Sequence, residues 1–460
     1  MNSMNIQRVT KTTLLLAVMA MTSVPVSAYT DTWKSGSNGS SAATGGAKAA
    51  GCAPASATAT LELNNVRARV ENGGNMWQNR ASGNAFYFVP KSADAGIIGP
   101  SALFAGSLWM GGYSPDNQLK LAAVRFRQEG NDFWPGPLTN TGDASVTPET
   151  CLASDKIYRT KRLEAALHEA YYNCSLDPDC DLTTEFPDGY VTPTTFFEWP
   201  ALGDPSQGQD LYVAPFYDFN GDGDYQPTDG DYPGYDLDGV VDCKSKFRDD
   251  PIPLFGDENL WWVFNDKGNV HTETGGQPIG MEVRAQAFAF STNDEVNNMT
   301  FYNYVLINQG TQTLANTFFG QWVDADLGCS NDDYVGCDVQ RGLGYAYNGD
   351  DNDEGCNGVP GYGLQPPAVG VDFFEGPYQD LDGVDNPLTT DCNLAVAQKG
   401  IVYKGIGIGY GDGVVDNARY GMRAFLYHDN NAGVRGDPSI AIQYYNYLNG
   451  IWKDGTPNTY

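Results

Sequence analysis

Short runs of aromatic and β-branched residues, separated by turns that contain glycine, asparagine or aspartate, dominate the chain after residue 60. The clearest pair is residues 299–308 (MTFYNYVLIN) and 313–324 (TLANTFFGQWVD). Such runs on either side of a glycine-containing turn predict a β-hairpin. The preceding residues 280–291 alternate polar and apolar side chains at their start, as a half-exposed strand does. Three neighbouring strands of this kind indicate a β-sandwich.

A second hairpin is predicted earlier, from residues 101–110 and 119–127. With 460 residues, of which 41% are hydrophobic, the chain can form one large or two ordinary domains with packed cores. The predicted fold class is mainly β, with β-sandwich-like domains, long Asp/Gly-rich loops and one inserted helix. Residues 61–250 are predicted to form a β-rich region that includes this helix, and residues 251–460 a second sandwich-like region.

The inserted helix is predicted at residues 154–172. Leu163, Leu167 and Tyr171 recur there at helical spacing, so they would share one face. His168 lies in the same segment without a second ligand at helical spacing. It is interpreted as an ordinary surface or packing histidine.

Residues 1–28 have the features of a secretory signal peptide. Arg8 and Lys11 precede an apolar run at residues 14–21, and small residues follow as far as Ala28. The apolar run is too short for the ~20 residues that span a bilayer. We therefore expect cleavage after Ala28.

Residues 29–60 are rich in serine, glycine, alanine and threonine, a composition that predicts a flexible leader. No later segment is apolar enough to span a membrane, so none is expected in the mature chain. The predicted location is therefore secreted, either extracellular or on the outer cell surface.

Export would place the nine cysteines where disulfides persist. Cys174 with Cys180 and Cys329 with Cys337 are close in sequence and predict two local bridges. Because the count is odd, one thiol stays unpaired, and Cys52 in the leader is the candidate. The sequence has no Cys-x-x-Cys pair and three histidines, which argues against zinc.

The formal charge of −30 argues against nucleic-acid binding, because phosphate recognition needs a basic face. An acidic extracellular chain instead suits divalent cations and solubility.

Residues 218–229 have the spacing of a calcium-binding loop. Aspartate or asparagine occupies its first, third and fifth positions, and Gly223 occupies its sixth. Calcium takes six to eight oxygen ligands, which a tightly wound loop of this kind can direct to one point. The predicted ligands are Asp218, Asn220, Asp222, Asp224 and Asp229. The closing aspartate, Pro227 and the lack of flanking helices distinguish the loop from a regular EF-hand.

Other loops repeat this pattern and resemble the acidic loops of thrombospondin type 3 repeats. Their predicted ligands are Asp236, Asp238, Asp242, Asp380, Asp382 and Asp385. A further acidic cluster surrounds the predicted Cys329–Cys337 bridge, with candidate ligands Asp324, Asp326, Asp332 and Asp333, and Asp338 nearby. The acidic run Asp350, Asp351 and Asp353 is interpreted as solvated. Calcium is the expected cofactor.

No sequence motif for a serine elbow, a zinc protease or a phosphate-cradling loop is present, and no catalytic residue is predicted. Tryptophans in strand-like runs could stack on sugars, although such residues are more often part of a core. They are Trp77, Trp109, Trp134, Trp261, Trp262 and Trp322.

Three long stretches, residues 104–138, 260–290 and 318–339, resemble a family of large secreted or cell-surface proteins of Bacteroidota. The resemblance covers most of the chain from residue 61. It implies export by the type IX secretion route and a surface location, without an assigned reaction. Members usually end in a C-terminal sorting domain, which residues 452–460 do not resemble.

The sequence thus predicts a secreted calcium-binding structural or adhesive protein of the cell surface. Its expected partners are an extracellular glycan, a matrix or other surface subunits. The alternative is a secreted carbohydrate-active enzyme or carbohydrate-binding protein.

Overall fold

The structure is a computed structural model. It describes residues 13–17, 50–92, 99–125, 130–235, 237, 245–246, 254–356, 358–374, 376–377, 420–430 and 433–458. Within these residues the protein is mainly β, which confirms the predicted fold class. Five α-helices are present there instead of the single one predicted. None of the described helices is long and apolar enough to cross a bilayer.

Three sheets contain most of the strands. The seven-stranded sheet consists of β2 (Thr58–Leu61), β3 (Arg67–Glu71), β4 (Asn75–Met76), β7 (Tyr87–Phe88), β8 (Ala105–Tyr113), β9 (Leu119–Ala122) and β18 (Ala315–Asp324). The five-stranded sheet consists of β10 (Trp134–Pro135), β11 (Tyr158–Lys161), β15 (Glu258–Asn265), β16 (Met281–Ala289) and β17 (Phe301–Asn308). The four-stranded sheet consists of β1 (Thr13–Ala17), β19 (Asp333–Asp338), β20 (Leu343–Asn348) and β23 (Ala368–Asp372).

The smaller elements lie in the connections between these sheets. A three-stranded sheet contains β12 (Phe216–Tyr217), β13 (Tyr232–Pro233) and β14 (Ser245–Lys246). Two further pairs are β5 (Gln78–Asn79) with β6 (Asn84–Ala85), and β21 (Asn352–Asp353) with β22 (Gly363–Leu364). The helices are α1 (Pro148–Ala153), α2 (Arg162–Leu176), α3 (Leu182–Glu185), α4 (Thr194–Glu198) and α5 (Ala441–Leu448).

The seven-stranded and five-stranded sheets pack face to face around the main hydrophobic core. Trp77 illustrates the contact: its ring meets the ring of Tyr302 edge to face at 5.8 Å, and its Nε1–H donates to the Tyr302 hydroxyl at 2.8 Å. The outer face of each sheet is covered as well. Tyr444 of α5 packs on Trp109, and Trp199, just after α4, packs on Trp261.

The predicted hairpin over residues 299–324 is wrong in its pairing, although both strands exist. β17 pairs with β16 in the five-stranded sheet, whereas β18 crosses to the seven-stranded sheet and pairs with β8. Long, buried β8 offers β18 a partner along most of its length, so the intervening turn connects two sheets. The other predicted hairpin is confirmed, because β8 pairs with β9.

The predicted helix over residues 154–172 begins too early. β11 comes first, because its backbone pairs with the edge of β15, and α2 then runs to Leu176. Leu163 and Leu167 are exposed, while His168 is buried against Phe196 and Tyr232. His168 is therefore a packing residue on the buried face of α2.

Two predicted boundaries are corrected. Residues 50–60 belong to the fold and not to a leader, because Cys52 is buried and β2 pairs with β3. The division at residue 250 does not separate two domains, since β8 pairs with β18 and β11 pairs with β15 across it. Within the predicted signal peptide, β1 pairs in parallel with β23, and the other residues before Ala50 lie outside the described ranges.

The disulfides differ from the prediction in two of three cases. Cys174–Cys180 is confirmed. Cys329 is bonded to Cys356 instead of Cys337, which sits in β19 opposite Gly344 and is free. Cys52, predicted to be unpaired, is bonded to Cys151. Cys243 and Cys392 lie outside the described residues.

Peptide mapping of the unreduced protein at acidic pH is expected to recover Cys329 linked to Cys356. Cys337 should be alkylated without prior reduction, because its sulfur has no disulfide partner among the described residues. The short Cys174–Cys180 loop is the internal control, since sequence and structure agree on it. A Cys329–Cys337 peptide would contradict this assignment.

Asp266 ties together the long connection between β15 and β16. Its buried carboxylate accepts hydrogen bonds from the backbone N–H groups of Ile279, Gly280 and Met281, the last two at 2.9 and 2.7 Å. The buried ring of His271 lies between two carbonyl oxygens, Leu121 O at 2.8 Å and Asp266 O at 2.7 Å. The connection is thus fixed by buried polar contacts, which are strong only when complete.

Candidate metal centres

The first candidate is the loop of residues 218–231, which we call the Asp218 loop. It connects β12 to β13, whose pairing places Tyr217 opposite Tyr232 and so brings the two ends of the loop together. Asp218 and Asp231 therefore leave adjacent strands side by side. Both side chains are buried at the base of the loop.

The Asp218 carboxylate organises the turn. Oδ1 accepts from the N–H groups of Gly221 at 2.7 Å and Asp222 at 3.2 Å, and Oδ2 accepts from Gly223 N–H at 2.9 Å. Gly221 and Gly223 have φ values of 77° and 81°, which favour glycine. The predicted winding around Asp218 is therefore present.

The next polar side chains form a chain of short-range contacts. Asn220 Oδ1 accepts from Asp222 N–H at 3.0 Å, and Asn220 Nδ2–H donates to Asp222 Oδ2 at 3.0 Å. Asp222 Oδ1 accepts from Asp224 N–H at 2.8 Å. Asp224 turns away and accepts from Tyr225 N–H at 2.9 Å. Asn220, Asp222 and Asp224 are all exposed, so water or an ion can reach them.

Asp231, and not the predicted Asp229, is the acidic residue that closes this loop. Asp229 is exposed at the end of a short 3₁₀ turn. Asp231 is buried and accepts from Phe219 N–H and Gln226 N–H, both at 2.8 Å. Burial raises the pKa of Asp231 to about 6, with a further increase from the charges of Asp218 and Asp222.

The second candidate, which we call the Asp333 cluster, consists of Asp326, Asp332, Asp333 and Asp353. The Cys329–Cys356 bridge joins the two chain segments that carry these residues. Asp353 is buried and accepts from Cys329 N–H at 3.1 Å and Tyr362 N–H at 2.7 Å. The interpretation of Asp353 as solvated is therefore wrong.

Close approach at this point requires glycine. A Cβ on Gly328 would lie 1.9 Å from Asp353 Oδ2, and the Gly328 φ of 68° also favours glycine. The absence of a side chain at Gly328 thus leaves room for the Asp353 carboxylate next to Cys329.

Asp333 is the most perturbed carboxylate of the cluster. Its Oδ2 accepts from Leu327 N–H at 2.8 Å, whereas its Oδ1 is shielded from solvent and has no hydrogen-bond partner among the described residues. Burial raises the pKa of Asp333 to about 7, and the charges of Asp326, Asp332 and Asp353 add to the increase. Burial also raises the pKa of Asp326.

The hydroxyl of Tyr362 is a second buried polar group in this region. It too has no hydrogen-bond partner among the described residues. Burial raises the pKa of Tyr362, and Asp353 and Asp333 raise it further, which places its hydroxyl within their field. Buried polar groups without partners are uncommon, and an ion or a bound water is one explanation.

The remaining predicted ligands do not join these centres. Asp338 lies at the far end of β19 and pairs with Arg341 at 2.7 Å. Asp324, at the end of β18, borders a cavity of about 380 Å³ with Trp322. Outside the described residues are Asp236, Asp238, Asp242, Asp380, Asp382 and Asp385.

In the described part of the chain, no three His, Cys, Asp or Glu side chains lie close enough together to hold a metal ion. Both centres do contain oxygen donors alone, which is the chemistry that Ca²⁺ and Mg²⁺ prefer. An ion at either centre would draw the carboxylates closer and neutralise their repulsion.

The candidate tryptophans and His428 lie in packed, hydrogen-bonded surroundings. All six tryptophans considered as sugar platforms are buried core residues. His428 borders the cavity, but its Nε2 accepts from Trp322 Nε1–H at 2.9 Å and its Nδ1 lies 2.9 Å from Asp437. Both ring nitrogens are therefore engaged.

Sequence reasoning missed Asp231 and Asp353. Asp231 lies two residues beyond the end of the twelve-residue pattern and immediately precedes β13. Asp353 lies in β21, and both the pairing of β19 with β20 and the Cys329–Cys356 bridge bring it near Asp333. Comparison of the chain with family models, with curated proteins and with solved structures found no match.

Proposed function

We propose that this protein is secreted, binds calcium and serves as a structural or adhesive component of the cell surface. The observation that carries the proposal concerns Asp333. One oxygen of its carboxylate is buried without a hydrogen-bond partner among the described residues, and three further acidic side chains act on it. A cation is the simplest partner that would satisfy this oxygen and offset the repulsion.

Two calcium ions would be held, each by its own set of oxygen donors. They are Asp326, Asp332, Asp333 and Asp353 in the cluster, and Asp218, Asn220, Asp222 and Asp231 in the loop. When bound, calcium would draw these carboxylates closer together and neutralise them. Calcium is favoured over magnesium because carboxylates on irregular loops suit its variable coordination better than the strict octahedral shell of magnesium.

A structural role agrees with where these groups lie. The Asp333 cluster adjoins the start of β19, and the Asp218 loop packs on α2, where the Tyr172 hydroxyl donates to Thr228 O at 2.7 Å. Ion binding would lower the conformational entropy of both loops. Three disulfides among the described residues support an oxidising, extracellular location.

Calcium is expected to stabilise the protein more at pH 8 than at pH 5.5. The pKa of Asp333 rises from 3.8 to about 7 on folding, so the calcium-free fold retains a proton that the unfolded chain has released between these values. The stabilisation from this proton is fully present below pH 3.8 and is lost progressively as the pH rises to about 7. Calcium must displace it, so the calcium effect should diminish in acid.

The measurement is the melting temperature with and without calcium at each pH. Subtracting the melting temperature without calcium from that with calcium cancels the contribution of groups that titrate identically in both samples. His168 is such a group, and burial lowers its pKa to about 4. A calcium-induced shift that is equal at both pH values, or larger at pH 5.5, would contradict the proposal.

A further inference from the structure

The outer face of the β19–β20 hairpin exposes three tyrosines. Tyr334, Tyr345 and Tyr347 have 59%, 37% and 43% of their surface exposed. Tyr334 lies directly opposite Tyr347 in the strand register, and Tyr345 lies opposite Gly336. The three side chains therefore share one face of the hairpin, and we call them the tyrosine strip.

Two glycines allow these rings to lie down on the sheet. A Cβ on Gly336 would come within 2.4 Å of the Tyr345 ring, and a Cβ on Gly349 within 2.7 Å of the Tyr334 ring. The two rings thus lie over the glycine backbone, where any residue with a side chain would block them. The Tyr334 and Tyr345 rings each rest on a glycine and remain partly exposed to solvent.

The three rings form a row. The Tyr347 ring centre is 5.9 Å from that of Tyr334 and 6.1 Å from that of Tyr345, with interplanar angles of 25° and 34°. None of the three hydroxyls has a hydrogen-bond partner among the described residues. The strip therefore combines exposed aromatic faces with free polar tips, in contrast to the buried tryptophans.

We propose that the tyrosine strip binds a neutral polysaccharide, whose pyranose C–H faces stack on the rings while its hydroxyls bond the phenolic groups. This inference rests on the proposed adhesive role and identifies its ligand. Rigid aromatic side chains with a polar tip suit such a partly wet surface at low entropic cost.

Charge selects the class of glycan. Asp332 precedes β19, Asp338 is the last residue of β19, and Asp350 follows β20. The neighbouring cation, Arg341, is already paired with Asp338 at 2.7 Å. Asp350 is not among the proposed calcium ligands, so its negative charge would repel sulfated or uronate-rich chains, and a neutral chain is favoured.

The strip is connected to the Asp333 cluster through β19 itself. Asp333 is the first residue of the strand, and Tyr334 follows it. Calcium at the cluster would fix the start of this strand and the position of the Tyr334 ring. Glycan binding is thus expected to be stronger in calcium than in chelator.

The test is retention of the purified protein on cellulose, chitin and mannan, with alginate as the anionic probe. The variants are Tyr347→Ala and the double variant Tyr334→Ala/Tyr347→Ala, together with Tyr347→Phe. Phe197→Ala is the matched control, because Phe197 is an equally exposed aromatic residue (55%) on α4.

Retention on at least one neutral probe is expected, with little on alginate. Tyr347→Ala should weaken it about ten-fold, the size of one lost stacking contact, whereas Tyr347→Phe should keep most of it. Phe197→Ala should bind like the parent protein. Equal retention of the double variant, or no retention on any neutral probe, would overturn the inference.

Two further readings separate this inference from the calcium proposal. If calcium affects neither glycan retention nor the melting temperature, the glycan inference stands and the calcium proposal is wrong. Calcium-dependent melting without glycan retention would support the calcium proposal and overturn the glycan inference. If the double variant instead abolishes self-association in sedimentation, the strip contacts a second copy of the chain and the glycan inference fails.

Discussion

Replacing Asp266 with alanine is expected to lower the free energy of unfolding by about 4 kcal/mol, since it leaves three buried N–H groups without an acceptor. Each such group costs about 1–3 kcal/mol, and the turn between β15 and β16 would lose its organising contact. Denaturant unfolding followed by tryptophan fluorescence measures the change. Trp134, whose ring centre is 5.7 Å from that of His271, reports on this region.

Asp143→Ala is the control for this prediction. Asp143 is exposed and makes only a surface ion pair with Lys267 at 3.3 Å, so its loss should cost less than about 1 kcal/mol. If Asp266→Ala costs no more than Asp143→Ala, the connection is held by other contacts and this account of the turn is wrong.

Asp333→Asn is expected to have opposite effects with and without calcium. At about a thousand times the dissociation constant, calcium should stabilise the parent protein by about 4 kcal/mol per site, and the variant should lose this gain at the cluster. In chelator at pH 8 the variant should be at least as stable as the parent, because it lacks a buried charge beside Asp326, Asp332 and Asp353. Thermal melts of both proteins under both conditions provide the measurement.

Asp338→Asn serves as the matched control on the same strand. Its carboxylate is paired with Arg341 and does not contribute to the raised pKa of Asp333, so the calcium response should be unchanged. A variant Asp333→Asn that is destabilised equally in calcium and in chelator would show that the carboxylate acts through ordinary hydrogen bonding alone.

The sequence predicted local features well and long-range pairing poorly. The β8–β9 hairpin follows from its own residues, because two runs and a short turn decide it. The turn after β17 looks the same in sequence, but β18 pairs with β8, about two hundred residues earlier in the chain. Hydrophobic alternation identifies a strand and not its partner.

Helix α2 shows a related effect. Tyr158 and the three residues after it continue a plausible helical pattern, yet they form β11 because the edge of β15 is open beside them. The leucines at helical spacing, Leu163 and Leu167, face outward, and small or polar residues such as Ala165 and His168 face the core. Tertiary packing overrides the apparent amphipathic face.

In the candidate metal centres, too, local contacts were predictable from the sequence and long-range contacts were not. The winding of the Asp218 loop was predictable, since Asp218 contacts backbone groups within five residues of itself. The positions of Asp231 and Asp353 were not predictable, because the first depends on β12–β13 pairing and the second on β19–β20 pairing and the Cys329–Cys356 bridge. Residues that the fold brings together have no fixed spacing in sequence.

Isothermal titration with calcium at pH 7.5 tests the central claim most directly. The parent protein is compared with Asp231→Asn, Asp333→Asn and the double variant, because these carboxylates are the most perturbed members of the two centres. The account predicts that each single substitution removes one binding event and the double substitution removes two. Identical titrations of the parent and the double variant, or no binding to the parent at all, would contradict it.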